Sequence, residues 1–387
     1  MLKRRDMLAA VACLAAPAQA AGAECASRSR YAGARLHPPP AAAVLERAAA
    51  PGGPVRETEA GALVQRLDQA QARMNSVALT AAVGRAGGEI WSRTLGAGPP
   101  SPRFFWASMG KAYAATAVLQ LVEEGRLALD APLGRWAPKA PNARWITVED
   151  LLAHTSGLYS FQLDAALRGE PGYKPPERLL DVAYAQPADF CPGASWNYSN
   201  TGYVQLGRIL EAVEGRPQHE VVAARVVQRL RLEQTTILAP RQVPADLARP
   251  VPPDGAPVDG TADDITTPYA AAGVVASAAD VVRFWQGLLG GRLHSPSMLR
   301  RRFARLYPMF GGDIGFYGLG VMLTDLSAAK GPSSDLWLGH DGGMPGAMAT
   351  AGYSTARQAY FAVALTGPGS PQATANLLLA ALPEARS

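Results

Sequence analysis

Lysine is scarce in this chain of 387 residues. Only five of its 37 basic residues are lysines, at positions 3, 111, 139, 174 and 330, and the rest are arginines. A lysine within an apolar segment therefore stands out. The formal net charge is only +5, and no dense basic stripe with interleaved aromatic residues occurs. We therefore expect no nucleic acid as a partner.

Long apolar runs, metal-ligand clusters and several common catalytic motifs are also missing. No run is long enough for a transmembrane helix. The five histidines form no H-E-x-x-H pair, and the three cysteines form no cluster with metal-ligand spacing. A zinc hydrolase therefore has little support, and we expect no metal or cofactor. The sequence has no complete G-x-S-x-G motif, which disfavours an α/β-hydrolase.

The first twenty residues have the pattern of a cleaved secretory signal. A basic start at residues 3–5 precedes a short apolar stretch, and Ala18-Gln19-Ala20 resembles a cleavage site. The arginine pair within that basic start also resembles a twin-arginine export signal. We therefore expect residues 1–20 to be removed and the mature protein to be periplasmic or secreted.

The remainder is predicted to be one domain preceded by an arm. Residues 21–58 are rich in Ala, Pro and Gly without a sustained period, which is typical of a linker or a poorly ordered arm. Residues 59–387 should form the domain. Cys25 in the arm and Cys191 in the domain could pair in an oxidising compartment, but the sequence leaves this open.

Strand patterns lie at both ends of the domain, and a mostly helical stretch of about 110–270 lies between them. Val77–Val83 and Glu89–Thr94 predict a β-hairpin, and Ala347–Tyr353 and Ala359–Leu365 predict two more strands. Helices are predicted over 59–74, after Ser108, from Thr147, around Tyr203–Val213, from Ser277 and over Gln372–Leu382. We expect an α/β (α+β) fold with a central antiparallel sheet from both chain ends, flanked by helices.

A serine and one of the few lysines lie three residues apart at the start of a predicted helix. Ser108 and Lys111 should share one helical face. A serine nucleophile needs a base, and a lysine serves when burial lowers its pKa. The helix N-terminus can also stabilise an oxyanion. The simpler alternative is a helix cap followed by a solvated lysine, but the neighbours Trp106 and Tyr113 are unusual around a solvated lysine.

Two further segments suit the same chemistry. In Tyr198-Ser199-Asn200, the tyrosine could be held as a phenolate by a cationic lysine and relay protons, and the asparagine could orient a substrate amide. Taken alone, the segment is a polar turn before a helix. The third segment contains His340 and Gly343. Alone it predicts a β-turn, whereas a functional interpretation places His340 on a strand edge facing the serine, with the Gly343 N–H in an oxyanion hole.

Together and in this order, the three segments resemble the serine β-lactamase and penicillin-binding protein family. That family includes class C β-lactamases, D-alanyl-D-alanine carboxypeptidases, D-aminopeptidases and related esterases. Leu151–Leu158 and Gly273–Ser277 resemble it as well, and the resemblance extends from about residue 59 to the C-terminus. It implies a β-lactamase/transpeptidase-like fold and an acyl-enzyme formed when Ser108 attacks a carbonyl.

The resemblance also implies roles for the other residues. Lys111 and Tyr198 share the acid and base steps, in an order that the sequence leaves open. Asn200 contacts the substrate, and the amides of Ser108 and Gly343 hold the oxyanion.

One position departs from the β-lactamases of this family, which carry Lys-Thr-Gly in the third segment. Here His340-Asp341-Gly342 takes its place, and Asp341 is expected to repel a substrate carboxylate. We therefore expect esters first, D-amino-acid peptides or amides second and β-lactams last, with a small molecule or peptide as substrate. The alternative is an inactive penicillin-binding-like protein that binds cell-wall peptides. The oligomeric state is left open.

Overall fold

The computed structural model describes residues 24–170, 172–252, 265–328 and 334–384. The predicted signal segment, residues 1–20, lies outside the described residues. In chain order the elements are α1 (Ala42–Ala49), α2 (Glu57–Met74), β1 (Ala78–Gly84), β2 (Trp91–Gly96), β3 (Phe104–Phe105), α3 (Gly110–Glu123), α4 (Val148–Ala153), α5 (Ala165–Gly169), α6 (Pro176–Tyr184), α7 (Asn200–Glu214), α8 (Gln218–Val222), β4 (Thr235–Ile237), β5 (Val274–Ala276), α9 (Ala278–Leu289), α10 (Pro296–Arg302), β6 (Tyr307–Pro308), β7 (Gly315–Tyr317), β8 (Met322–Asp325), β9 (Leu336–Met344), β10 (Ala347–Ser354), β11 (Ala359–Thr366) and α11 (Pro371–Leu379).

A large antiparallel sheet is built from both ends of the chain. Its strand order is β2-β1-β11-β10-β9-β8-β7-β6. The N-terminal strand β1 pairs with the C-terminal strand β11, from Ala78 opposite Thr366 to Gly84 opposite Tyr360. The predicted fold class is confirmed. A second sheet contains the short strands β3, β5 and β4 in that order.

Helices cover both faces of the large sheet. On the front face, Leu338 and Ala351 belong to the same core as Phe284 of α9 and the helical region. On the back face, Trp337 and Val363 pack with α2 and α11. Strands β1 and β11 are buried along their whole length because both of their faces are covered, which explains their nearly uninterrupted runs of apolar and small residues.

Helix α3 runs through the core of the helical region, and its residues from Gly110 to Leu121 are all buried. Two neighbouring helices begin where the sequence carries capping signals. The Thr147 side chain accepts a hydrogen bond from the Asp150 amide at α4, and Ser277 accepts one from Asp280 at α9. These caps fix where each helix starts.

The arm packs against the domain, so the prediction of a linker or poorly ordered arm is wrong for residues 24–58. Leu45 and Ala48 of α1 are buried, and the Tyr360 hydroxyl donates to the Ala48 carbonyl at 2.6 Å. Cys25 forms a disulfide with Cys191. Alanine and proline dominate this segment, so its composition does not reveal the long-range contacts that order it.

Candidate active site

Ser108 lies in a tight turn that leads into α3. The turn spans Ala107–Met109, and Ala107 has a φ of 45°, which residues with a side chain rarely adopt. Strained backbone of this kind is concentrated at functional sites. Ser108 is half-buried, so its hydroxyl is held on rigid backbone but remains accessible.

Lys111 lies one helical turn beyond Ser108 and is fully buried. Its Nζ is 3.2 Å from Ser108 Oγ and donates to the Ala271 carbonyl at 2.6 Å. Burial lowers the pKa of Lys111 well below its usual value, because removal from water disfavours the ammonium form. The uncharged amine that this shift favours is the form that can take a proton from Ser108.

Tyr198 reaches the same point from the loop before α7. Its side chain hydrogen-bonds Ser108, and the Lys111 Nζ lies 4.8 Å from the centre of its ring. Burial raises the pKa of Tyr198 above its usual value, and the bond to Ser108 only partly opposes this. The resting side chain is therefore a neutral phenol, and the phenolate suggested by the sequence is not the favoured form.

Asn200 opens α7 and presents an unsatisfied acceptor. Its backbone amide donates to Ser160 Oγ at 3.0 Å, while its side-chain Oδ1 is buried with no hydrogen-bond partner among the described residues. An unpaired buried acceptor costs about 1–3 kcal/mol. Asn200 Oδ1 is therefore an acceptor without a partner among the described residues, and it is closed off from solvent in this structure.

His340 emerges from β9 on the front face and is neutral. Its Nδ1 lies 2.5 Å from the Asp341 carbonyl, to which only a protonated nitrogen can donate, and its Nε2 lies 3.1 Å from the Tyr317 hydroxyl. Burial, followed by the charge of Lys111, lowers the pKa of His340 to about 3. With both nitrogens engaged, His340 shapes the site and is not placed to act as a base.

Asp341 lies on the back face, which contradicts the expectation that it meets the substrate. Its carboxyl hydrogen-bonds Thr350, its neighbour across β10, and Gln372 in the first turn of α11. Burial raises its pKa. Because successive side chains of a strand point to opposite faces, His340 and Asp341 cannot both enter the site.

Glycine lets β9 pass directly beside the nucleophile. A Cβ atom at Gly342 would lie 2.1 Å from the Trp106 carbonyl oxygen and 3.3 Å from the Ser108 nitrogen. Nothing lies within 4 Å of the corresponding position at Gly343, which is exposed. The backbones of Ser108 and β9 are therefore close neighbours, with open space beside Gly343.

Comparison with known proteins identifies the family. A family model described as Beta-lactamase matches residues 63–384. The chain belongs to the beta-lactamase family. A D-stereospecific amidohydrolase from Streptomyces sp. is 30% identical with a TM-score of 0.72, and the match covers 81% of this chain and 97% of that one. The resemblance found in the sequence is confirmed.

Two curated relatives of this beta-lactamase family chain match over shorter stretches. Esterase EstB from Burkholderia gladioli is 35% identical over 201 residues, which is 44% of this chain and 51% of the esterase. Putative penicillin-binding protein PbpX from Bacillus subtilis is 27% identical over 231 residues, which is 58% of this chain and 54% of that protein. The aligned region thus spans about half the length of each.

In this beta-lactamase family chain, a set of aromatic residues that the sequence did not single out surrounds Tyr198. The His154 ring lies 4.3 Å from the Tyr198 ring, and its Nδ1 accepts from the Ser199 amide at 3.1 Å. The Tyr317 hydroxyl lies 3.3 Å from the Tyr203 hydroxyl. His154 lies in the segment Leu151–Leu158 that resembles the family, whereas Tyr317 lies in none of the motifs.

The mouth of the site has an exposed aromatic side chain. Phe310 is 76% exposed, and its ring lies 5.5 Å from Trp196 and 6.4 Å from Tyr198. Its φ of 53° is again rare for a residue with a side chain.

Within the described ranges, no group of three or more His, Cys, Asp or Glu residues could hold a metal ion.

Proposed function

We propose that this chain is an exported serine hydrolase that forms an acyl-enzyme at Ser108. The observation that carries the proposal is the 3.2 Å separation between Ser108 Oγ and the Nζ of a buried Lys111. The lowered pKa of Lys111 supports it, since an uncharged amine beside the hydroxyl is the base that a serine nucleophile needs.

The mechanism begins with attack of Ser108 Oγ on the substrate carbonyl while its proton passes to Lys111. The amides of Ser108 and Gly343 hold the oxyanion, and the Ala271 carbonyl and the Tyr198 ring stabilise the new ammonium group. Tyr198 gives its proton to the leaving group as it takes one from Lys111. Water then attacks the acyl-enzyme, its proton returns through the same groups, and Ser108 regains its hydrogen.

Neutral esters are the first candidates for substrate, followed by D-amino-acid amides or peptides and then β-lactams. The position that is lysine in β-lactamases of the family is the neutral His340, so it offers no cation to a substrate carboxylate. Asp341, on the back face, no longer contributes to this ranking. The exposed Phe310 beside Trp196 favours an apolar group on the substrate. Similarity to an esterase and to a D-stereospecific amidohydrolase agrees with the first two classes.

Export is part of the proposal. It is supported by the signal-like start of the sequence and by the disulfide between Cys25 and Cys191, since disulfides persist mainly in oxidising compartments. No helix of the described residues has both the length and the apolar character needed to cross a membrane.

The test combines labelling with a substrate panel. A serine-directed phosphonate should add mass to the peptide that contains Ser108. Short-chain esters, D-amino-acid amides, D-alanyl-D-alanine peptides and nitrocefin should be compared between wild type and Ser108→Ala. Ser199→Ala is a matched control, because the buried Ser199 hydroxyl has no hydrogen-bond partner among the described residues. A folded protein that binds cell-wall peptides but shows neither labelling nor turnover would instead be the inactive binder.

A further inference from the structure

The arm of the chain is fastened to the loop that carries Tyr198. Residues 24–62 precede the region matched by the family model, which begins at residue 63. Within them, Cys25 is bonded to Cys191, and Cys191 opens the loop that leads to Tyr198. A covalent bond therefore links a segment outside the family match to the loop of a proposed catalytic residue.

Backbone contacts extend this attachment along the loop. The Ser29 amide donates to the Pro192 carbonyl and the Ala32 amide donates to the Ala194 carbonyl, each at 2.9 Å. A Cβ atom at Gly193 would lie 2.6 Å from the Ser29 carbonyl oxygen. Gly193 thus permits a close approach that a larger residue would prevent, and the arm lies directly against the loop.

An ion pair between the partly exposed Arg28 and a buried carboxylate fastens the arm to α4 as well. Arg28 contacts Asp150 through Nη2 at 2.5 Å and Nε at 3.3 Å, and Asp150 is fully buried. Asp150 also accepts from the Thr155 hydroxyl at 2.8 Å. The Thr155 carbonyl in turn accepts from the Gly193 amide at 2.8 Å. The arm therefore holds the loop through the disulfide and the backbone bonds, and it holds α4 through Arg28 and Asp150.

Hydrogen bonds to His154, which directly follows α4, hold the backbone next to Tyr198. The Asn197 amide donates to the His154 carbonyl at 3.1 Å, and the Ser199 amide donates to the His154 ring. These bonds bracket Tyr198 on either side. We propose that Arg28 and the Cys25–Cys191 disulfide are positioning groups for Tyr198, so that breaking the disulfide loosens the loop and slows turnover. The kinetic part of this proposal rests on the proposed function.

His37, further along the arm, provides a matched control. The His37 amide donates to the Leu306 carbonyl at 3.0 Å, and the His37 ring lies 4.5 Å from the Phe316 ring. His37 also contacts Asp325. It fastens the arm to the sheet and has none of the contacts with the Tyr198 loop, so His37→Ala should weaken the arm without moving Tyr198.

Hydrogen exchange tests the positioning without any need for activity. Backbone exchange of the peptide around residues 192–200 should be compared in the oxidised protein, the reduced protein and the Cys25→Ser/Cys191→Ser variant. We expect faster exchange in the last two, Arg28→Met intermediate, and His37→Ala equal to wild type. Unchanged exchange after reduction would overturn the proposal.

Kinetics tests the consequence. Reduction should lower kcat by on the order of 10- to 100-fold, since small misplacements of catalytic groups have effects of this size, while KM changes less. Reoxidation should restore kcat. The Cys25→Ser/Cys191→Ser variant should have a lowered kcat that does not respond to reductant. The alkaline limb of the pH profile should move to lower pH, because a more hydrated Tyr198 has a lower pKa.

The possible failures are distinguishable. A loss of turnover that follows thermal stability equally in Arg28→Met and His37→Ala would show a merely structural arm and overturn the positioning role. Wild-type protein without turnover or labelling would refute the proposed function, while the exchange experiment would still decide the positioning.

Discussion

His340 and Asp341 are neighbours on β9, but they belong to different parts of the molecule. His340 lies on the front face, hydrogen-bonds Tyr317 and is affected by the charge of Lys111. Asp341 lies on the back face and hydrogen-bonds Thr350 and Gln372. The pleat of one strand thus separates a residue of the proposed site from a packing residue. A motif taken as a continuous string of letters merges two environments that the fold keeps apart.

The largest effect on the front face should come from removal of the nucleophile. Ser108→Ala should lower kcat about a million-fold and leave thermal stability nearly unchanged, since the hydroxyl is small and half-buried. Thr350→Val, on the back face, should leave ester turnover within a few-fold of wild type. Steady-state kinetics and thermal unfolding measure both. Ser108→Ala with wild-type turnover would refute covalent catalysis.

Lys111→Met should separate activity from stability. The activity should fall by about 10⁴-fold, the upper range for loss of a general base. The stability should rise at neutral pH, because the variant no longer buries an ionisable amine whose unfolded form holds a proton more tightly. Thermal unfolding and ester turnover check the two signs, and a destabilised variant would argue against the lowered pKa.

The lowered pKa of Lys111 should also be visible in the pH dependence of the wild-type enzyme. The folded pKa of Lys111 is lowered, so its charged form appears only as the pH falls through that lowered value, and kcat/KM should decrease there. The stability should increase with pH between the folded pKa and the unfolded value near 10.5. His340, with a pKa of about 3, should contribute nothing to the profile near neutrality. A profile governed by a group near pH 6.5 would point to a histidine base instead.

One loop allows a finer comparison, because it contributes Phe310 to the front and Ile314 to a back pocket that Asp341 and Trp337 also line. Both side chains are exposed. Phe310→Ala should lower kcat/KM for phenylacetyl esters by about tenfold, or about 1.4 kcal/mol, with little change for acetyl esters. Ile314→Ala should affect neither. Equal losses for both ester types would indicate a role in loop structure alone.

The smallest kinetic effect is expected at Asp341. Asp341→Thr should leave nitrocefin and ester turnover level and reduce stability by about 1 kcal/mol through the lost hydrogen bonds. Asp341→Asn is the control, since it removes the charge but keeps groups that can bond Thr350 and Gln372. A rise in nitrocefin turnover alone would place Asp341 in the site and break the comparison between the two faces.

The parts of the structure that local patterns determine were predictable. The hairpin of β1 and β2, the C-terminal strand pair and the capped starts of α4 and α9 each depend on residues close together in the chain. The proximity of Ser108 and Lys111 follows from helical spacing.

The parts that depend on tertiary contacts were not predictable. Nothing near Tyr317 or Phe310 indicates that the sheet brings them to Tyr198, and the composition of the arm does not reveal Arg28 as the partner of a buried aspartate. The back-face position of Asp341 depends on strand register, which the motif alone does not specify.

The pairing of β1 with β11 has a consequence for synthesis of the chain. Strand β1 ends at Gly84, and its partner β11 begins at Ala359. During translation, one edge of the β1–β2 hairpin therefore stays unpaired until β11 has also left the ribosome. Pairing over so long a sequence separation is slow, and an apolar open edge is prone to aggregate meanwhile. A chain that terminates before residue 359 would retain that open edge permanently, even though every proposed catalytic residue would be present.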